Sequence, residues 1–78
     1  MKRVQADPMR ADSISLTVNG APRETRAETL AEFIAGEDFG ETRVATAVNG
    51  AFVPARARAE RLLAAGDRVE ILSARQGG

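Results

Sequence analysis

The sequence predicts an α+β fold, a mixed sheet of about five strands with one main helix packed on one face. Three observations carry that expectation. Residues 13–18 and 68–72 alternate polar and apolar side chains, the mark of strands with one buried face. Asn-Gly occurs at 19–20 and again at 49–50, each time after a strand-like run. Both residue types tolerate positive φ, as a tight hairpin requires. Between the two hairpins lies one helical pattern, opened by Thr29, Leu30, Ala31 and Glu32 in the form of a capping box.

Residues 1–12 show no clean period and are interrupted by Pro8, so they read as a mobile N-terminal extension outside the fold. Ile14, Leu16 and Val18 share one face of the first strand. The returning strand, 21–26, is rich in charge, and Pro22 cannot donate to a ladder, which suits an edge. In the helix Leu30, Phe33 and Ile34 fall on one face at i, i+3 and i+4. Gly36 is expected as its C′ stop, with the last turn reaching as far as Asp38. Phe39 is expected to tuck beneath the helix.

Residues 43–48 form the third strand and 51–53 a short fourth, closed by Pro54. Neighbouring side chains on a strand face opposite ways, so Phe52 and Val53 cannot both enter the core. One of them is exposed on a binding face. Residues 55–65 read as a loop with a helical turn, anchored by Leu62 or Leu63. Arg56, Arg58 and Arg61 in that loop form either a docking patch or a solvated face. The last strand, 68–72, turns Val69 and Ile71 inward. A crossing helix lets this strand return to the middle of the sheet beside the first, which is a β-grasp arrangement. The domain is expected over 13–72 and an extended tail over 73–78.

At 78 residues the chain has room for one small domain. Eleven basic and eleven acidic residues cancel, so no net field draws it to nucleic acid or an anionic membrane. No apolar run approaches the ~20 residues of a membrane span, and the expected location is the cytoplasm. With no Cys and no His, the chain lacks thiol nucleophiles, imidazole bases and the usual zinc ligands. There is no G-x-x-x-x-G-K-[ST] phosphate loop, so any ATP chemistry belongs to a partner.

The tail is where chemistry can reside. It ends on Gly77 and Gly78. Six extended residues reach roughly 20 Å, enough to place the Gly78 carboxylate inside a partner while the body stays outside. A side chain at 77 would obstruct a narrow channel. Arg75 and Gln76 can hydrogen-bond to channel walls, and Arg75 can also pair with a carboxylate. Gly-Gly alone does not separate this role from an ordinary frayed end.

Taken together, Val18, Asn19 and Gly20; Thr29 to Glu32; the run Val48-Asn49-Gly50-Ala51-Phe52-Val53-Pro54; the run Ala65-Gly66-Asp67-Arg68-Val69-Glu70-Ile71; and the terminal glycines resemble the ThiS family, the sulfur carriers of thiamine biosynthesis. The resemblance covers residues 13–78 and implies a ubiquitin-like β-grasp. It implies that a ubiquitin-activating-type adenylyltransferase uses ATP and magnesium to adenylate Gly78. Sulfur from a persulfide donor then displaces AMP to leave a thiocarboxylate, and thiazole synthase takes that sulfur. The chain itself would be a carrier and not an enzyme, would bind no cofactor, and would be a monomer when free. Phe52 and Leu72 join Arg75, Gln76 and Gly77 as the expected partner contacts. The family often carries an aromatic residue a few positions after Pro54, where this chain has Ala and Arg. Two other readings stay open: a sulfur carrier for molybdenum cofactor or another sulfur-transfer pathway, and a β-grasp binding module with no chemistry at its end.

Overall fold

Alternation in the first segment becomes β1 (Ile14–Val18), which turns at Asn19 and Gly20 into β2 (Ala21–Thr25). The structure, a computed structural model, describes residues 12–39 and 42–73. Asn19 and Gly20 have φ of 52° and 84°, and Asn49 and Gly50 have 54° and 85°, the paired left-handed residues of a type I′ hairpin. The second hairpin joins β3 (Val44–Val48) to β4 (Ala51–Val53). The last strand is β5 (Arg68–Ser73). In space the order is β2-β1-β5-β3-β4. β1 and β5 run parallel, and the other pairs are antiparallel. The first and last strands therefore lie side by side at the centre of a β-grasp, as the sequence implies.

Helix α1 (Leu30–Ala35) crosses one face of this sheet. Its start follows the capping box in full: the Glu32 N–H donates to Thr29 Oγ1 at 3.1 Å, and the Thr29 N–H donates to Glu32 Oε1 at 3.3 Å. It ends at Gly36, as expected, but in a different form. Gly36 lies in the right-handed region at φ −82°, so it is not a left-handed stop, and the helix does not reach Asp38. The last turn tightens instead. The Gly36 N–H donates to Phe33 O at 3.1 Å and the Glu37 N–H to Ile34 O at 3.0 Å, so i→i+3 bonds satisfy the final carbonyls.

The core lies between α1 and the sheet. Leu16, Leu30, Phe33, Val48, Val69 and Ile71 are all buried in it, and Leu30 is fully so. Each such side chain contributes ~1.5–3 kcal/mol relative to exposure. Phe39 packs against this cluster as expected. Of the two candidate anchors beyond β4, Leu63 is buried and Leu62 is exposed. The strand boundaries shift slightly: β3 begins at Val44, β2 ends at Thr25, and β5 runs on to Ser73, which pairs with Val44.

Of the arginines of the 3₁₀ turn (Ala55–Glu60) and its exit, Arg58 and Arg61 make bonds within the fold. Arg58 reaches inward, donating from Nε to Thr46 Oγ1 at 3.0 Å and from Nη2 to Val44 O at 2.7 Å. The buried Thr46 hydroxyl in turn donates to Val53 O at 2.7 Å. Arg58 is thus occupied in tying the turn to β3, while Arg61 bonds its neighbour's carbonyl at Leu62. On the far edge Arg23 grips Glu37 through both nitrogens, at 3.2 and 2.6 Å, and lies 5.2 Å from the Phe33 ring centroid. The hydrogen bond to Glu37 is the main cause of a raised Arg23 pKa; partial burial opposes it and charge attraction adds to it. Because the shift is upward, its stabilisation is fully present below arginine's ordinary value, hence across the working pH range.

Candidate functional site

With the helix on one face, the alternation of each strand decides what the other face shows. Thr46, Val48, Val69 and Ile71 point to the core, so Ala45, Ala47, Glu70 and Leu72 point outward. The register places Ala47 between Phe52 and Glu70, and Ala45 beside Leu72. Phe52 and Leu72 are each 69% exposed, whereas Val53 is buried. This settles which of the pair 52 and 53 faces out. The small methyl groups of the two alanines leave a shallow dimple of about 100 Å³ between the larger side chains, bordered also by Glu70.

A single exposed leucine on a small protein needs no explanation. Here a phenylalanine on β4 and a leucine on β5, the last strand, face water on either side of an alanine floor. Leu72 is one residue from the end of β5. The apolar patch and the end of β5 are therefore one feature. Of the residues expected to act, Phe52 and Leu72 are brought together; Arg75, Gln76, Gly77 and Gly78 lie outside the described residues.

This end of the strand is held from both sides. On one, β3 pairs with β5 as far as Val44 and Ser73. On the other, β1 stops at Val18, and the Asn19 side chain takes over. Its Nδ2 donates to Ile71 O at 3.0 Å, and its Oδ1 accepts from the Ile71 N–H at 2.8 Å. Asn49 does the corresponding work where β5 begins: its Oδ1 accepts from the Arg68 N–H at 2.8 Å, and its Nδ2 donates to Asp67 Oδ1 at 2.9 Å. The other Asp67 oxygen accepts from the Ala64 N–H at 2.8 Å, which accounts for a nearly buried carboxylate in a turn. Sequence reasoning assigned these asparagines to turns alone. The only sequence signal for more is that Asn was used twice where Gly or Asp would also turn the chain.

A larger open cleft, about 660 Å³, lies on the helix side, lined by Ile34, Phe39, Val44 and Arg58 among others. Arg58 and Glu37 on its wall are already paired within the fold. Among the described residues no group of His, Cys, Asp or Glu could hold a metal ion. No helix among them is long and apolar enough to cross a membrane.

A ubiquitin-like β-grasp domain with an apolar patch at the end of its last strand is thus what fold and site define. The ThiS family model matches residues 16–78, and the chain belongs to that family of sulfur carriers. Among solved structures it is similar to the crystal structure of ThiS, a thiamine biosynthesis protein, from Geobacter metallireducens. The two are 29% identical with a TM-score of 0.68, over 83% of this chain and 100% of the other. Among curated proteins, none matches.

Proposed function

We propose that this chain carries sulfur for the thiazole ring of thiamine, as a thiocarboxylate on Gly78. The observation that carries the reading is the exposed pair Phe52 and Leu72 at the root of the tail, on a chain of the ThiS family. A patch there seats a partner's surface where the tail enters its active site. Membership of the family and the likeness to a thiamine biosynthesis protein support the pathway.

The chemistry follows from what a carboxylate lacks. Its charge repels nucleophiles, and oxide is a poor leaving group. A ubiquitin-activating-type adenylyltransferase, holding ATP and magnesium, joins a Gly78 carboxylate oxygen to the α-phosphorus, and pyrophosphate leaves. The terminal sulfur of a persulfide donor then attacks the carbonyl carbon, and AMP departs with the C–O electron pair. The resulting acyl disulfide is cleaved by a thiol. The thiol supplies two electrons and ends in a disulfide, and the thiocarboxylate is released. Thiazole synthase accepts that sulfur. The carrier contributes a reachable carboxylate and a surface to be recognised, and no acid or base of its own.

Intact-mass spectrometry tests this. Incubated with the adenylyltransferase, ATP, magnesium and a persulfide donor, the chain should gain about 16 Da, one oxygen replaced by sulfur through an activated acyl group. Deleting Gly78 should abolish the gain and leave the circular dichroism spectrum and melting temperature unchanged. An unaltered wild-type mass beside an adenylyltransferase shown to load another carrier would refute the reading.

A further inference from the structure

We propose that Asn19 is a positioning residue for loading of the tail: its carboxamide fixes the point at which β5 releases the chain. The parallel ladder between β1 and β5 shows why. The Thr17 N–H donates to Asp67 O at 3.0 Å, and the Asn19 N–H donates to Val69 O at 2.9 Å. Two residues on, position 21 should meet Ile71. It cannot, because the hairpin has already turned Ala21 back to pair with Val18. The Asn19 side chain fills the vacated place, with a donor on Ile71 O and an acceptor on the Ile71 N–H. Only one orientation of the amide satisfies both, and no other side chain of similar length offers a donor and an acceptor so arranged.

The consequence is local to the exit. Asn49, with the same backbone conformation, holds the entrance of β5 at Arg68. Asn19 holds Ile71, next to Leu72 of the apolar patch and two residues before the strand ends. Without the carboxamide, Ile71 loses both bonds on its β1 side. The end of β5, Leu72 and Ser73, then samples a wider range of positions. Fewer encounters with the adenylyltransferase would seat the patch and thread the tail together. Loss of preorganisation of this kind weakens productive binding more than it slows the chemical step.

The test rests on the proposed loading of Gly78 and uses Asn19→Gly. Glycine keeps the positive φ of the turn and removes only the side-chain bonds. Asn49→Gly is the matched control, losing its carboxamide at the opposite end of the same strand. Asn19→Asp keeps the acceptor and loses the donor. Loading is followed by intact mass against carrier concentration, well below each melting temperature. Amide hydrogen exchange at Ile71 and Leu72 is read on the free carrier.

Asn19→Gly should raise the carrier's KM by roughly three- to tenfold, with kcat changed less than about twofold, and should speed exchange at Ile71. Asn19→Asp should fall between it and wild type. Asn49→Gly should melt at a similar temperature to Asn19→Gly but keep the wild-type KM. If the two glycine variants share one KM, or if Ile71 exchanges no faster in Asn19→Gly, the positioning role is refuted and Asn19 is a turn residue only. A wild-type chain that is not loaded at all overturns the functional reading and this role with it.

Discussion

Removing the exposed apolar pair, Phe52→Ala with Leu72→Ala, should weaken recognition by more than it weakens the fold. An aromatic side chain buries ~150–250 Å² when fully enclosed. Phe52 is 69% exposed, so about two thirds of that area, ~100–170 Å², awaits a partner. At ~25 cal/mol per Å² this is at most ~2.5–4 kcal/mol. Ordering and association costs take back part of it, leaving ~1–2 kcal/mol, or about a five- to thirtyfold rise in KM for the carrier. Leu72 should add a smaller increment on the same scale. Within the folded chain only the remaining third of Phe52 is covered, so its truncation should cost ~1 kcal/mol of stability. That corresponds to a melting point lower by ~4–8 °C. The assay is initial-rate loading by intact mass across carrier concentrations, paired with thermal melts. Leu62→Ala is the control: Leu62 is 64% exposed but sits beside Thr29 at the start of the helix, away from the patch. A KM for the double variant within twofold of wild type, or a rise equal to that of Leu62→Ala, would show that this face is not where the partner docks.

Two further outcomes concern the fold. Leu16→Asp places a carboxylate in the buried interface between α1 and the sheet and should remove ~3–5 kcal/mol, most of what so small a domain possesses; a cooperatively melting variant by circular dichroism would mean that residue 16 does not face the core. Arg58→Leu leaves Val44 O without its guanidinium donor and should cost ~1–3 kcal/mol by urea denaturation; an unchanged midpoint would show that the link between the 3₁₀ turn and β3 carries no stability.

Wherever a local pattern decides structure, the sequence alone was enough. Alternation located β1 and β5, because a strand with one covered face must repeat every two residues. Thr29 and Glu32 marked the helix start, because both partners of each capping bond lie within four residues. Gly36 marked the stop but not its form: glycine permits a left-handed cap but does not demand one, and i→i+3 bonds closed the turn instead. Arg58 was illegible because its acceptors lie 12 and 14 residues away, on a strand whose register the local sequence does not specify. For Asn19 the separation is 52 residues. At the site, the need for one of Phe52 and Val53 to be exposed was plain from strand geometry. Which of them it was, and that Leu72 would lie across the same alanine floor, depended on the pairing of β3 with both its neighbours.

The outer face of the sheet is itself divided, and its apolar half lies at the end of β5. Among the described residues one α-helix covers the sheet, and the sheet's other face meets water. Across β1 and β2 that face is polar: Ser15 and Glu24 stand opposite each other, and Ser15 Oγ donates to Glu24 Oε2 at 3.3 Å. Across β3, β4 and the end of β5 it shows Ala45, Ala47, Phe52 and Leu72. Solubility alone would favour the polar pattern on both halves. The apolar half coincides with the last turns of the strand that becomes the tail, and Glu70 keeps a charge at its border. Under the proposed function, a partner that buries Phe52 and Leu72 would bind the body beside the end of β5, where the described chain stops at Ser73.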